Sequence, residues 1–118
     1  MITSGSRPEI QRGITESIKF IVKNADGTAK NLTGATVHVT FAHGRDGDLI
    51  SHQSGSSVAT ISNPSSGEII VKMSAFDTRD LPEGELYREI TLIETNGDVM
   101  MLLAETVLVT NSFMADYL

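Results

Sequence analysis

The 118-residue chain has no cysteine and no tryptophan, and aromatic residues make up only 5% of it. Without cysteine there is neither a disulfide framework nor a thiolate metal site, so a small fold has to be held by apolar burial, helped by any neighbouring subunits. So few rings leave little surface on which sugars or bases stack. Cations are also scarce: 9 Lys plus Arg stand against 15 Asp plus Glu, a formal net charge of −6. Nucleic-acid binders need a basic footprint, so no nucleic acid is expected as a partner. No apolar run approaches the ~18 residues of a membrane span, and Met1 to Ile10 carries no apolar stretch of signal-peptide length. No membrane partner is expected, and the chain should stay where it is synthesised unless something larger carries it out.

What is present is the material of one β-rich domain. Hydrophobic residues make up 40% of the chain, enough for a single core at a length below the ~150 residues where chains begin to divide. The stretch from Leu81 to Val109 organises the rest. Leu81-Pro82-Glu83-Gly84 leads into an apolar run ending at Ile93, Thr95-Asn96-Gly97-Asp98 turns the chain, and a second apolar run follows. Asn-Gly between two β-rich runs predicts a hairpin closed by a type I′ turn, in which both central residues have φ > 0.

Upstream, the spacing predicts a short edge strand within Glu9 to Ile14 and a strand over Ser17 to Lys23, where Ile18, Phe20 and Val22 alternate with Lys19 and Lys23. Ala35 to Ala42 alternates most regularly, with Val37, Val39 and Phe41 on one face and Thr36, His38 and Thr40 on the other. Asn24 to Gly27 and Asn63 to Gly67 are turns. His43 to Ser57 reads as loop apart from the apolar pair Leu49-Ile50. A weak strand is expected over Val58 to Ile61 and a strand over Glu68 to Ser74 with Ile69, Val71 and Met73 on one side, and Ser74 with Asp77 three residues on predicts one capped helical turn. About seven short strands with almost no helix indicate an all-β, immunoglobulin-like β-sandwich, with a small barrel as the other arrangement. The expected organisation is an N-terminal arm over 1–8, the sandwich over 9–110 and a C-terminal docking segment over 111–118, since Phe113, Met114, Tyr117 and Leu118 are more apolar than a free tail requires. A final strand is the alternative for that last segment.

Residues that carry chemistry are few. His38, His43 and His52 lack the spacing of a metal set, and Asp46-Gly47-Asp48 lacks the later ligands of a calcium loop. Asp77, Asp80, Glu83 and Glu85 lie in a turn with no apolar pocket to raise a pKa, which makes them caps and solubilising charge rather than an acid and base pair. No nucleophile elbow and no phosphate-cradling glycine loop occurs. The chain is therefore expected not to be an enzyme and to need no cofactor or metal.

One set of short motifs points to a family. Phe20-Ile21-Val22-Lys23-Asn24-Ala25-Asp26-Gly27, Asn31-Leu32-Thr33-Gly34-Ala35-Thr36-Val37, Gly67-Glu68-Ile69, Leu81-Pro82-Glu83-Gly84-Glu85-Leu86-Tyr87 and Asn96-Gly97-Asp98-Val99 together resemble tailed-phage virion proteins, most closely the N-terminal β-sandwich domain of the baseplate upper protein family, over roughly Ile14 to Val109. That resemblance implies a structural or adaptor protein of a phage virion, in the tail, the baseplate or on the capsid surface, made in the bacterial host cytoplasm. Its implied partners are other virion proteins and copies of itself, in a homo-oligomer. The expected contact residues are Arg7 and Pro8 at one end and Phe113, Met114, Tyr117 and Leu118 at the other. The alternative expectation is a host-surface module that binds carbohydrate.

Overall fold

The computed structural model describes residues 8–117. Eight strands form two packed sheets: β1 (Glu9–Gln11), β2 (Glu16–Ile21), β3 (Thr36–Ala42), β4 (Leu49–Ser54), β5 (Ala59–Asn63), β6 (Glu68–Met73), β7 (Gly84–Ile93) and β8 (Val99–Thr110). Two short α-helices, α1 (Ala75–Arg79) and α2 (Met114–Tyr117), and two 3-10 turns, Gly55–Ser57 and Pro64–Ser66, complete the order. One sheet runs β1-β8-β7-β3-β4 and the other β2-β6-β5. This is the sandwich arrangement of the immunoglobulin type: β3–β4, β5–β6 and β7–β8 are hairpins within one sheet, the connections between them cross from sheet to sheet, and the longest hairpin, β7–β8, lies in the larger sheet. The small-barrel alternative is excluded, because the two sheets stay separate.

Period-two patterning decides which faces meet. Val37, Val39 and Phe41 of β3, Leu86, Ile90 and Leu92 of β7, Val107 and Val109 of β8, and Ile69, Val71 and Met73 of β6 are all buried and form one core. Leu32 and Leu81, which start or precede strands in the sequence, are equally buried. The capped turn is present: the Ser74 hydroxyl accepts from Asp77 N–H at 3.2 Å while the Asp77 carboxylate accepts from Ser74 N–H at 3.2 Å.

Several expectations need correction. The eighth strand is β4, which falls in the stretch read as loop. It is an edge strand, hydrogen-bonded to β3 alone, so it needs little apolar alternation to hold its place. The last segment is a short helix and not a strand. The 94–98 turn is also not type I′. Glu94 N–H donates to Asp98 O and Gly97 N–H to Glu94 O, both at 2.9 Å, and Gly97 alone takes a left-handed φ of 92° while no described non-glycine residue has positive φ. That is a three-residue loop closed by a left-handed glycine. A Cβ at Gly97 would touch nothing within 4 Å, so the cost of substitution is purely that of the backbone. Gly97→Val is expected to lose about 1–3 kcal/mol, read from urea midpoints; an unchanged midpoint would show that the turn relaxes without strain.

One charge enters the core. Arg88 lies on the inward row of β7 between Leu86 and Ile90 and is 3% exposed. Its guanidinium bonds Glu105, its cross-strand partner on β8, through Nε at 3.0 Å and through Nη2, and it bonds Glu16 of the opposite sheet through Nη1. Its Cζ lies 6.0 Å from the centre of the Phe41 ring. Two carboxylates from two sheets thus share one buried cation, which ties the layers together near the middle of β7.

Candidate protein-contact surface

At the end where β7 begins and β8 finishes, three segments are knotted by hydrogen bonds that no local pattern announces. Arg12, just past β1, donates from Nε and Nη2 to the Arg79 carbonyl at 3.1 and 2.8 Å, and from Nη1 to Asn111 Oδ1 at 2.9 Å. Gly13 N–H donates to Thr78 Oγ1 at 3.1 Å, and the Thr78 hydroxyl donates to the Ile14 carbonyl at 2.9 Å. Thr78 is fully buried although it sits on a five-residue helix. The turn after β1, helix α1 and the chain leaving β8 therefore form one platform.

Helix α2 rests on this platform by a single small residue. Ser112 starts it, its hydroxyl accepting from Met114 N–H at 3.1 Å. Ala115 is buried against Gly13, whose φ is 81° and where a Cβ would come within 2.6 Å of the Ala115 nitrogen. Only glycine permits that approach. The consequence is that the larger side chains of the segment face outward: Phe113 is 87% exposed, Tyr117 81% and Met114 44%. Ile14 and Phe76, from the other two segments of the platform, are also exposed, and Arg79 sits 5.2 Å over the Phe76 ring. Five of the nine large exposed hydrophobics among the described residues thus belong to these three segments. Aromatic residues and Met with Arg beside them are the composition enriched at the centres of protein interfaces.

The expected contact residues are divided by the fold. Met114 and Tyr117 lie on α2, and Phe113 immediately precedes it. Pro8 is exposed and lies at the start of β1, where its carbonyl accepts from Leu108 N–H at 2.9 Å, a strand's length from the Gly13 platform. Arg7, Leu118 and most of the 1–8 arm lie outside the described residues. Ile14 and Phe76 were not singled out in the sequence: neither stands in an apolar run, and only contacts from Arg12 and Gly13 to residues far along the chain bring them beside α2.

The histidines are not three independent solvated side chains. His52 lies on β4, not in a loop, diagonally across the hairpin from His38; their rings stack 5.1 Å apart with Nδ1 of one 2.9 Å from Nε2 of the other. Among the described residues no three metal-ligating side chains converge. Elsewhere on the outer face, the 43–45 loop and strands β7 and β8 enclose a concavity of about 420 Å³ lined by His43, Arg45, Glu85, Tyr87 and Thr106 among others. Arg45 sits 5.7 Å over the Tyr87 ring. The hydrogen bond to Tyr87 raises the Arg45 pKa above its ordinary value, with the charges of Asp46 and Glu89 adding to it.

No protein-family model matches the chain, and no curated protein matches it. Among solved structures it is similar to the crystal structure of CopC from Methylosinus trichosporium OB3b, at 13% identity over 92% of this chain and 88% of that one, with a TM-score of 0.47. A likeness that slight carries no argument about function. These findings correct the resemblance to the baseplate upper protein family, which no comparison supports. The motifs behind it have a plainer origin: Asp26-Gly27 and Asn96-Gly97 close tight loops, and Leu32 and Leu81 anchor strand entries in the core. Any sandwich of this topology needs such residues, whatever its family.

Proposed function

We propose that this chain is a structural or adaptor protein that works through protein-protein contacts in a symmetric assembly, docking by the end that carries α2. The observation behind this reading is the outward display of Phe113, Met114 and Tyr117 at a short helix whose buried residue is Ala115. A sequence under no such demand would leave polar side chains there. Repetition suits such a surface, since weak contacts made many times add as avidity. The virion placement drew its support from the corrected resemblance and is not carried into this proposal.

The test is a double substitution, Phe113→Ser with Tyr117→Ser. Both side chains are exposed, so the thermal midpoint should move by no more than a surface change does, within about ±0.5 kcal/mol. The sedimentation coefficient of the assembly should fall. An unchanged coefficient at every concentration would remove α2 from the account.

A second reading, a carbohydrate-binding module, draws on the concavity at Tyr87, where a ring lies among Arg, His, Glu and Thr side chains. It ranks below the first because Arg45 already covers the ring face on which a sugar would stack. Binding of a glycan that Tyr87→Ala abolishes would reverse that ranking.

A further inference from the structure

Strand β8 is twelve residues long, and β1 pairs with only its last three positions, Leu108 to Thr110. Along the rest of that side no described strand covers it. The direction of its free groups follows from those β1 contacts. Leu108 N–H donates to Pro8 O and Thr110 O accepts from Arg12 N–H, each at 2.9 Å, so the main-chain groups of residues 108 and 110 point away from β7. Strand alternation then turns those of Thr106 and Ala104 the same way.

Among the described residues, nothing gives this stretch the usual protection. Val99-Met100-Met101-Leu102-Leu103-Ala104-Glu105-Thr106-Val107 contains no proline and no lysine, and the carboxylate of its one charged residue, Glu105, is bound inward to Arg88. Natural edges are blunted by outward charge or proline, and an exposed apolar edge without them is a template for another strand. It is also self-complementary. Ile90 pairs with Leu103 and Thr91 with Met101, so Leu102 is an extra, bulged residue. An antiparallel copy centred on Ala104 sets Ala104 opposite its own counterpart and Glu105 opposite Leu103. With the bulge taken up opposite Thr106, Met100 comes opposite Val107. Inward residues then meet inward residues, and no two carboxylates are opposed despite the net charge of −6. The fit is bounded at both ends, by β1 on one side and by the 94–98 turn on the other.

We propose that β8 of one copy adds to β8 of a second copy, antiparallel about a two-fold axis at Ala104, joining the two larger sheets into one. This names one partner within the assembly reading and rests on that reading only in expecting association, since it uses a different surface. Thr106→Pro deletes an N–H that faces the open edge and leaves the β7 ladder intact. Ala104→Lys sets two like charges face to face at the axis on an exposed side chain.

Each variant is expected to halve the mass of the β8-linked species by light scattering, with the Ala104→Lys effect weakened by salt. In the wild type, the amides of Ala104 and Thr106 should exchange more slowly as concentration rises. Wild-type mass retained by folded Ala104→Lys would overturn the proposal even if Thr106→Pro failed to fold. A wild-type monomer whose 104 and 106 amides are protected at every dilution would overturn it too, giving the edge to the chain that precedes Pro8. If the edge variants dissociate the protein and the Phe113/Tyr117 variant does not, the edge stands and the α2 reading fails; the reverse result separates them the other way.

Discussion

Arg88→Ala is expected to cost about 3–5 kcal/mol of folding stability, the loss seen when one partner of a buried charge cluster is removed. The substitution deletes the one cation that, among the described residues, pairs with both Glu16 and Glu105, and it leaves two carboxylates facing each other. Those side chains keep 22% and 18% of their exposure, so water softens the penalty and the lower end of the range is expected. Against a total of roughly 5–15 kcal/mol this is still a large fraction. Replacing all three residues together, Glu16→Leu with Arg88→Met and Glu105→Leu, should be neutral or stabilising, because the desolvation cost of three charges goes with them. Urea unfolding measures both. A loss below about 1 kcal/mol from Arg88→Ala would mean that the cluster behaves as an exposed pair and does not tie the sheets.

Phe41→Ala is the second large effect, expected at about 3–5 kcal/mol from lost burial and the cavity left behind. Phe41 is 1% exposed, at the end of the inward row of β3 and under the Arg88 guanidinium. Its neighbour Thr40 faces the other way and is only partly buried, so Thr40→Ala should stay within about ±0.5 kcal/mol. Thermal or urea unfolding that ranked the two the other way round would invert the face assignment of β3. The Phe41 and Arg88 effects should not add, because the cation lies over the ring, 6.0 Å from its centre; a double-mutant cycle reads their coupling.

These two residues also mark how far the sequence could be read. Phe41 was legible: Val37, Val39 and Phe41 alternate with Thr36, His38 and Thr40, and that pattern has only one buried face. Arg88 was not, since charge argues for the surface while its place between Leu86 and Ile90 argues for the core. The conflict is resolved by Glu16, which lies in another sheet and far back in the chain. The Ser74 and Asp77 cap was visible because its partners are three residues apart. Strand β4 was hidden because an edge strand with one neighbour needs no apolar alternation, and with it was hidden the meeting of His38 and His52.

The contact surface was half legible. Phe113, Met114 and Tyr117 drew notice by being apolar where a tail should be polar. Nothing local indicated that Ala115 would seat on Gly13, or that Ile14 and Phe76 would join them through the Arg12 and Thr78 hydrogen bonds. The bulge at Leu102 was equally silent. It follows from how β8 pairs with β7, and it sets which residues an added strand would meet.

The measurement that tests the central claim most directly is the mass of the purified wild-type chain in solution, by light scattering over a wide range of concentration. A chain that acts through contacts in a symmetric assembly should reach a defined multiple of the 12.7 kDa protomer and hold it on moderate dilution. A mass of one protomer at every concentration would contradict self-association and leave α2 without the partner assigned to it.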